Sequence, residues 1–187
     1  TGRLGPRRAI AVSEAALPPV LILMCTLNGA RFLPEQLQSI AAQGHGDWAL
    51  WVSDDGSTDA TRAVVEAFRA EQAGRHEVRL VVGPRRGSGG QNFLSLLCRE
   101  DLPVGPETHV AFCDQDDVWE PGKLERGMRR LMAVPGDGPV LYGAQSVHID
   151  ARGREVGRSR RPLRGVTLGN AVVQNMVSGH TAMLNPA

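Results

Sequence analysis

A run of six consecutive apolar residues, VLILMC from Val20 to Cys25, limits the folds open to this chain. An unbroken apolar run of this length is typical of a strand covered on both faces, and such strands occur in parallel sheets packed between helices. The residues that follow predict a helix with one apolar stripe, made of Leu33, Leu37, Ile40 and Ala41. The chain therefore begins its ordered part with a buried strand followed by a helix.

Short apolar runs and helical patterns continue to alternate along the chain. Strands are predicted at residues 48–54, 78–83, 109–114 and 140–144. The segment SVHIDARGREVG then predicts a hairpin that turns at Arg152 and Gly153. This alternation indicates an α/β fold with a mostly parallel, Rossmann-like sheet and helices on both faces.

The three later helices are predicted from their apolar spacing and their starting residues. Ser57 or Thr58 is expected to cap the second helix, and Pro121 is expected at the first position of the fourth. The buried positions are expected to be Thr61, Val64, Val65 and Phe68 in the second helix, Phe93, Leu96 and Leu97 in the third, and Leu124, Met128, Leu131 and Met132 in the fourth.

The 187 residues are enough for one well-filled core. Residues 1–18 contain Gly, Pro and Arg without a clear period, so we expect a flexible leader, followed by one domain over residues 19–187. The Arg- and Gly-rich stretch from Ala151 to Gly165 is expected to be a mobile loop. No apolar run approaches the roughly 20 residues that a membrane helix needs.

Charge and cysteine content exclude several classes of protein. The formal net charge is +1, which argues against a broad nucleic-acid surface. Cys25, Cys98 and Cys113 are widely spaced among apolar neighbours, so we expect three buried, reduced thiols of a cytosolic protein. No G-x-G-x-x-G follows the first strand and no G-x-S-x-G occurs, which disfavours redox use of a dinucleotide and a serine hydrolase.

Polar clusters follow the predicted strands, and two of them are acidic. TLN follows the first strand, DDGS the second and DQDD the fourth. Ligands of parallel sheets bind at the carboxyl ends of the strands, where these clusters should meet. Gathered carboxylates repel one another, and Mg²⁺ or Mn²⁺ bound with a polyanionic ligand would remove that conflict. Taken singly, DDGS is also typical of a turn that caps a helix, and DQDD of a solvated acidic loop.

Three motifs, CTLNGARFLPEQLQSI, VSDDGSTDAT and FCDQDDVWEPGKL, occur in this order. Their residues and spacing resemble the inverting family 2 glycosyltransferases, which have the A-type fold of nucleotide-diphospho-sugar transferases. The resemblance covers the chain from about Pro19 to its end, and the form DQDDVW…KL is similar to bacterial rhamnosyltransferase-like members. It implies metal-dependent transfer, with inversion, of a sugar from a UDP- or dTDP-sugar to a glycan, a lipid-linked acceptor or another hydroxyl group.

The resemblance implies nucleotide-binding roles for residues of the first two motifs. Thr26 and Asn28 match the loop that lines the base and ribose. Asp55 matches the acid that accepts a hydrogen bond from the uracil or thymine imide, with Asp54 beside it. An imide N–H is a donor, so an ionised carboxylate is a suitable partner for it.

The third motif matches the Asp-x-Asp motif of the family. Asp116 would ligate the metal ion, and Asp114 would face the ribose or the metal and its water. Asp117 has two alternative roles. It either contributes to the metal site or to the sugar side, or it caps the next helix. Trp119 is expected to pack at the sheet edge, with a second role against the sugar as the alternative.

Two further segments match less completely. Asn92 matches the family's Arg-Asn pair near the donor, but Gln91 replaces the arginine. Arg85 or Arg86 is the alternative source of a cation, although a solvated loop is the expected role of both. In NMVSGHTAML, which resembles the strand at the acceptor-side floor, Gly179 and His180 are candidates for the sugar or acceptor side, with a structural role as the alternative for His180.

No residue of this chain matches the family's catalytic base. The resemblance places that base beyond Ala187, so we expect a chain that holds the donor and metal site and that is truncated before the base. It also implies a cytoplasmic location, with the full-length protein working at the cytoplasmic face of a membrane. Donor sugar, acceptor and oligomeric state stay open at this point.

Two other functions stay open at the level of sequence. A nucleotidyltransferase also builds a metal site at a parallel-sheet edge, but it needs a phosphate loop after the first strand, where CTLNGARFL offers only Gly29 and Arg31. A non-catalytic nucleotide-sugar-binding module would use the same donor site without a base.

Overall fold

The computed structural model describes residues 16–160 and 176–186. Its sheet contains four parallel strands, which are β1 (Val20–Thr26), β2 (Trp48–Asp54), β3 (Val78–Val82) and β4 (His109–Cys113). They lie in the order β3-β2-β1-β4. β1 occupies the centre and pairs in parallel on both sides, and this position explains why its six-residue apolar run has no polar alternation.

Helices cover both faces of this sheet, as predicted. They are α1 (Leu33–Ala41), α2 (Thr61–Gln72), α3 (Gly89–Leu97) and α4 (Lys123–Met132). Ile22 and its neighbours on one face of β1 pack in a core with α1, α2 and α4. Leu21 and Leu23 on the opposite face pack with Leu96 of α3 in a second core. The alternation of side chains along β1 thus separates the two layers.

The sheet becomes mixed at its far edge. β8 (Met183–Leu184) lies between β4 and β5 (Leu141–Tyr142) and runs antiparallel to both. The fifth strand, which was predicted at residues 140–144, is only two residues long. The segment expected to form the acceptor-side floor strand contains a short 3₁₀ helix (Gly179–Thr181) before β8. The predicted hairpin is confirmed as β6 (Val147–Ile149) and β7 (Glu155–Arg158), with Gly153 at φ 74° in its turn.

Two helix starts differ from the prediction. Neither Ser57 nor Thr58 caps α2, because its N-cap is Ala60 and the Asp59 carboxylate instead accepts the Thr61 backbone N–H at 3.0 Å. Pro121 lies outside α4, which begins at Lys123 after Gly122 turns the chain in the left-handed region at φ 72°. In both places the residues before the helix form a loop, so the helix begins later in the chain than predicted.

Three residues predicted to be buried are exposed. Leu97 and Met132 lie at the ends of their helices, where the adjoining sheet no longer covers the apolar stripe, and Met132 is 50% exposed. Cys98 is exposed just after α3, while Cys25 and Cys113 are buried, and all three thiols are free. The remaining expected core positions are buried or partly buried.

Several expectations fall outside the described residues. They concern the leader over residues 1–15, residues 161–165 of the expected mobile loop, and Asn175. The earlier part of that loop includes β7. Among the described residues, no helix has the length and apolar character needed to cross a membrane.

Candidate functional site

The carboxyl ends of β1, β2 and β4 form the wall of one cavity. Thr26 ends β1 directly opposite Asp54, which ends β2, because the two strands pair in parallel register. Beyond these strand ends lies a cavity of about 240 Å³. Of the residues predicted to bind nucleotide or metal, five line it, namely Thr26, Asp55, Asn92, Asp114 and Asp116. The two acidic motifs thus face a shared hollow.

Asp55 is held at the cavity wall by the Gly-rich loop before α3. Its side chain accepts hydrogen bonds from the backbone N–H of Arg86 at 3.2 Å and of Gly87 at 2.7 Å. Gly87 has φ 63°, a conformation that side-chain-bearing residues rarely adopt. The loop therefore closes over a carboxylate that is only 5% exposed, and lone pairs of both oxygens are left for a further donor.

Asp54 points away from this cavity and organises the turn after β2. Its carboxylate is fully buried and accepts from the Ser57 hydroxyl, the Ser57 N–H at 3.2 Å and the Thr26 hydroxyl at 3.3 Å. The half-exposed Arg62 lies 3.4 Å from it. Adjacent residues at a strand end point to opposite sides, so Asp54 fixes the loop while Asp55 faces the cavity.

Asn28 and Asn92 join the elements around the cavity. Asn28 does not line it and has φ 50°, and its side-chain oxygen accepts the Thr58 N–H at 2.8 Å, which ties the β1–α1 loop to the β2–α2 loop. Asn92 is 2% exposed, and its amide both accepts from the Ser53 hydroxyl at 2.6 Å and donates to the Ser53 carbonyl at 3.0 Å. These bonds attach α3 to β2.

Neither Arg85 nor Arg86, the alternative sources of a cation near the phosphates, lines this cavity. Arg85 has φ 57° and its side chain lies beside Gly56, lining a second, more open recess with Arg62. Arg86 contributes its backbone N–H to Asp55 rather than its charge to the cavity. The cavity wall formed by this loop is therefore lined by backbone and small side chains.

Asp114, Asp117 and His180 form a compact cluster beside the cavity. His180 Nδ1 lies 3.4 Å from an Asp114 oxygen and 3.9 Å from an Asp117 oxygen. The hydrogen bond to Asp114 raises the pKa of His180, and burial raises the pKa of Asp117. One ligand atom from each of the three lies within 4.8 Å of the others, a spacing that fits a metal ion. Asp116 is exposed, outside this cluster.

Lys123 is a residue of the site that the sequence analysis missed. The Lys123 ammonium, from the first residue of α4, donates to the His180 carbonyl at 2.7 Å and lies 3.7 Å from the centroid of the Trp119 ring. Burial lowers the pKa of Lys123 to about 8, and the charges of Asp117 and Asp114 act in the opposite direction. Its place in the motif DQDDVWEPGKL was the available signal, and it is a cation close to the gathered carboxylates.

Trp119 packs in the core, whereas the surroundings of Gly179 are open. Trp119 is 4% exposed and belongs to the core with α1 and α4, which agrees with a packing role. A Cβ atom at Gly179 would meet no atom within 4 Å among the described residues. The packing of the described residues therefore does not require a glycine at position 179.

Gly83 offers a test of how tightly the loops around Asp54 are packed. Its added Cβ would lie 2.8 Å from Asn92 Oδ1 and 3.0 Å from the Asp54 carbonyl oxygen. Because backbone cannot yield as a flexible side chain does, we expect Gly83→Ala to lower the free energy of unfolding by about 2 kcal/mol. Urea denaturation measures this, with Gly46→Ala as control, since a Cβ there meets nothing within 4 Å. Equal stability of the two variants would contradict the prediction.

Known proteins are similar to this chain in sequence and in fold. A family model for glycosyl transferase family 2 matches residues 21–175. The dTDP-rhamnosyl transferase RfbG of Shigella flexneri is 32% identical over 109 residues, which make up 58% of this chain and 37% of RfbG. The chain thus spans well under half the length of this relative.

Solved structures confirm the architecture as that of the A-type glycosyltransferase fold. S. aureus TarS 1–349 in complex with UDP-GlcNAc matches with a TM-score of 0.60 and 21% identity over 90% of this chain and 46% of TarS 1–349. The mannosyltransferase PcManGT from Pyrobaculum calidifontis, in complex with GDP-Man and Mn²⁺, matches with a TM-score of 0.60 and 20% identity over 90% of this chain and 45% of PcManGT. Because the family model covers the parallel strands and the loops that line the cavity, the chain belongs to glycosyl transferase family 2.

Proposed function

We propose that this chain binds the diphosphate of a UDP- or dTDP-sugar, together with a divalent metal ion, for transfer of the sugar with inversion. The observation that carries the proposal is that Asp55 and Asp116, which come from distant motifs, line one cavity. Thr26 and Asn92 also line this cavity. A nucleotide can therefore contact the first acid with its base and approach the second with its diphosphate.

The proposed preference for uracil or thymine follows from the free lone pairs of the Asp55 carboxylate. Two backbone N–H groups already donate to this carboxylate, which holds it in place as an acceptor. The imide N–H of uracil or thymine can donate to it, whereas the ring N3 of cytosine is itself an acceptor. The likeness to TarS in complex with UDP-GlcNAc and to the dTDP-rhamnosyl transferase RfbG supports uridine or thymidine donors.

The acidic residues fit a divalent ion. Among the described residues, Asp117 Oδ2 is a buried oxygen without a hydrogen-bond partner, and it faces the cluster with Asp114 and His180. Carboxylate oxygens suit Mg²⁺ and Mn²⁺, with phosphate oxygens and water completing the coordination. We assign Asp116 and Asp114 as the protein ligands, with Asp117 and His180 as the adjacent alternative set. PcManGT was solved with Mn²⁺, which supports this class of ion.

The mechanism assigns binding and charge stabilisation to this chain. When bound, the ion would stabilise the negative charge that grows on the departing nucleoside diphosphate. Asp55 and the strand ends orient the donor so that one face of the sugar stays open to the acceptor hydroxyl. We extend the proposal to a glycan or lipid-linked acceptor used at the cytoplasmic face of a membrane, as the family resemblance implies.

Calorimetric titration tests the proposal directly. UDP, dTDP, GDP and CDP are titrated into the chain with Mn²⁺ and again with EDTA. We expect UDP or dTDP to bind at least about tenfold more tightly with Mn²⁺, and CDP to bind weakly, since cytosine lacks the imide donor. Binding that is equal for all four nucleotides and independent of metal would refute the assignment. Release of pyrophosphate from a nucleoside triphosphate would instead favour nucleotidyl transfer.

A further inference from the structure

Polar side chains in and just after α1 are buried, at positions where apolar side chains would avoid the free-energy cost of burying polar groups. Gln36 is fully buried, and Gln43, just beyond the end of α1, is 7% exposed. Ser39 lies one helical turn from each of them and is partly buried. Burying an amide is unfavourable unless its donors and acceptors are paired, so such positions call for partners.

Each of these side chains bonds a residue in the stretch that runs from the last residue of β4 to the first turn of α4. Gln43 donates to the Glu120 carbonyl and accepts the Leu124 N–H, at 3.1 and 3.2 Å. Ser39 accepts the Trp119 N–H at 2.9 Å. Gln36 donates to the Cys113 thiol at the start of the same segment. We call residues 113–124 the acidic segment, because it carries Asp114, Asp116 and Asp117.

The acidic segment has a physical need for such support. It has no helix or strand between Cys113 and Lys123, and its three carboxylates repel one another. Its other contacts include the bonds of Gln115 to the N–H and the carbonyl of Leu27, at 2.9 and 3.2 Å, and the approach of His180 to Asp114 and Asp117. Near its end, Lys123 donates to the His180 carbonyl and Arg126 donates to the Pro121 carbonyl. The bonds from α1 add backbone restraints to the middle and end of the segment, where the Trp119 side chain packs in the core and Leu124 lies in the first turn of α4.

We propose that Gln43 and Ser39 are positioning residues that hold the acidic segment in its ligand-binding conformation before any ligand arrives. Neither side chain lines the cavity, so the effect acts through the segment's backbone. The ligand-binding part of this inference rests on the proposed function. The backbone part does not, because it concerns the chain without ligand. Residues that orient metal ligands from behind typically change metal affinity by about 10–100-fold when they are replaced.

The test compares Gln43→Met with two control substitutions within α1. Gln38→Met removes an amide whose bond goes to Glu71 on α2, away from the acidic segment. Leu37→Ala destabilises the core without removing any bond to the segment. Ser39→Ala removes the acceptor of the Trp119 N–H, together with the bonds that the Ser39 hydroxyl donates to Gln36 within α1, and serves as a second variant if Gln43→Met does not fold.

Two readouts separate positioning from general destabilisation. Without ligand, hydrogen exchange of the Trp119 and Leu124 amides is expected to accelerate about tenfold or more in Gln43→Met or Ser39→Ala, with β1 amides unchanged. With Mn²⁺ and UDP, affinity is expected to fall about 10–100-fold in Gln43→Met and less than about threefold in both controls. Unchanged exchange, or an equal loss of affinity in Leu37→Ala, would overturn the proposal. Absence of metal-dependent binding in the unmodified chain would refute the proposed function, while exchange would still test the positioning role.

Discussion

Asp54→Ala is expected to lower the free energy of unfolding by about 3 kcal/mol. Ala leaves the Ser57 hydroxyl, the Ser57 N–H and the Thr26 hydroxyl without the acceptor that now pairs them, and Arg62 loses its ionic partner. The position is fully buried, so water cannot replace the carboxylate without opening the turn. Urea denaturation followed by circular dichroism measures the change.

Two further variants make this prediction specific. Asp54→Asn keeps one acceptor oxygen but places an N–H donor opposite donors, so it should also destabilise the protein, by less than alanine does. Asp137→Ala changes an exposed aspartate and should stay within about 0.5 kcal/mol of the unmodified protein. Equal stability of Asp54→Ala and Asp137→Ala would show that the turn does not depend on this carboxylate.

Asp116→Asn is expected to weaken Mn²⁺-dependent binding of UDP by about 100-fold or more. The substitution keeps the size of the side chain and removes the full negative charge that would face a doubly charged ion. The expected loss of affinity is therefore larger than the loss caused by replacing a residue that only orients a metal ligand. Affinity for UDP in EDTA should stay within about twofold, because Asp55 and the loop around it are untouched. Titration calorimetry in the two buffers measures both quantities.

The matched substitutions decide which set of residues holds the ion. Asp137→Asn removes an exposed charge in the loop that follows α4 and should leave both affinities unchanged. If Asp117→Asn and His180→Gln weaken metal-dependent binding more than Asp116→Asn does, the ion lies in the cluster of Asp114, Asp117 and His180 instead. Unchanged metal dependence in Asp116→Asn would remove this residue from the assignment.

The site was partly readable in sequence because parallel strands share an edge. Thr26, Asp55 and Asp114 each follow an apolar run, so their meeting at one cavity required only that the runs form a parallel sheet. The different roles of Asp54 and Asp55 were less accessible. Both belong to one acidic pair in the sequence, and only the direction of each side chain at the end of β2 separates a turn-forming acid from a cavity-lining one.

Lys123 and Gln43 show why the contacts around the acidic segment could not be predicted from residue spacing. A lysine at the start of a helix and a glutamine just after one are ordinary surface residues in a periodic pattern. Their importance depends on what lies opposite: the His180 carbonyl in one case and the backbone of Glu120 and Leu124 in the other. Such partners are separated by tens of residues, and no local spacing rule relates them.

The order of strands and helices, the parallel centre of the sheet and the edge that carries the acids were all predictable from sequence. Periodicity and strand-end chemistry are local properties. The tertiary structure was needed to show that β8 lies antiparallel between β4 and β5 and that His180 joins Asp114 and Asp117. It was also needed to show that Leu97 and Met132 are exposed. Those outcomes depend on which distant surfaces meet, and burial and pairing between distant segments are not encoded in the spacing within any one of them.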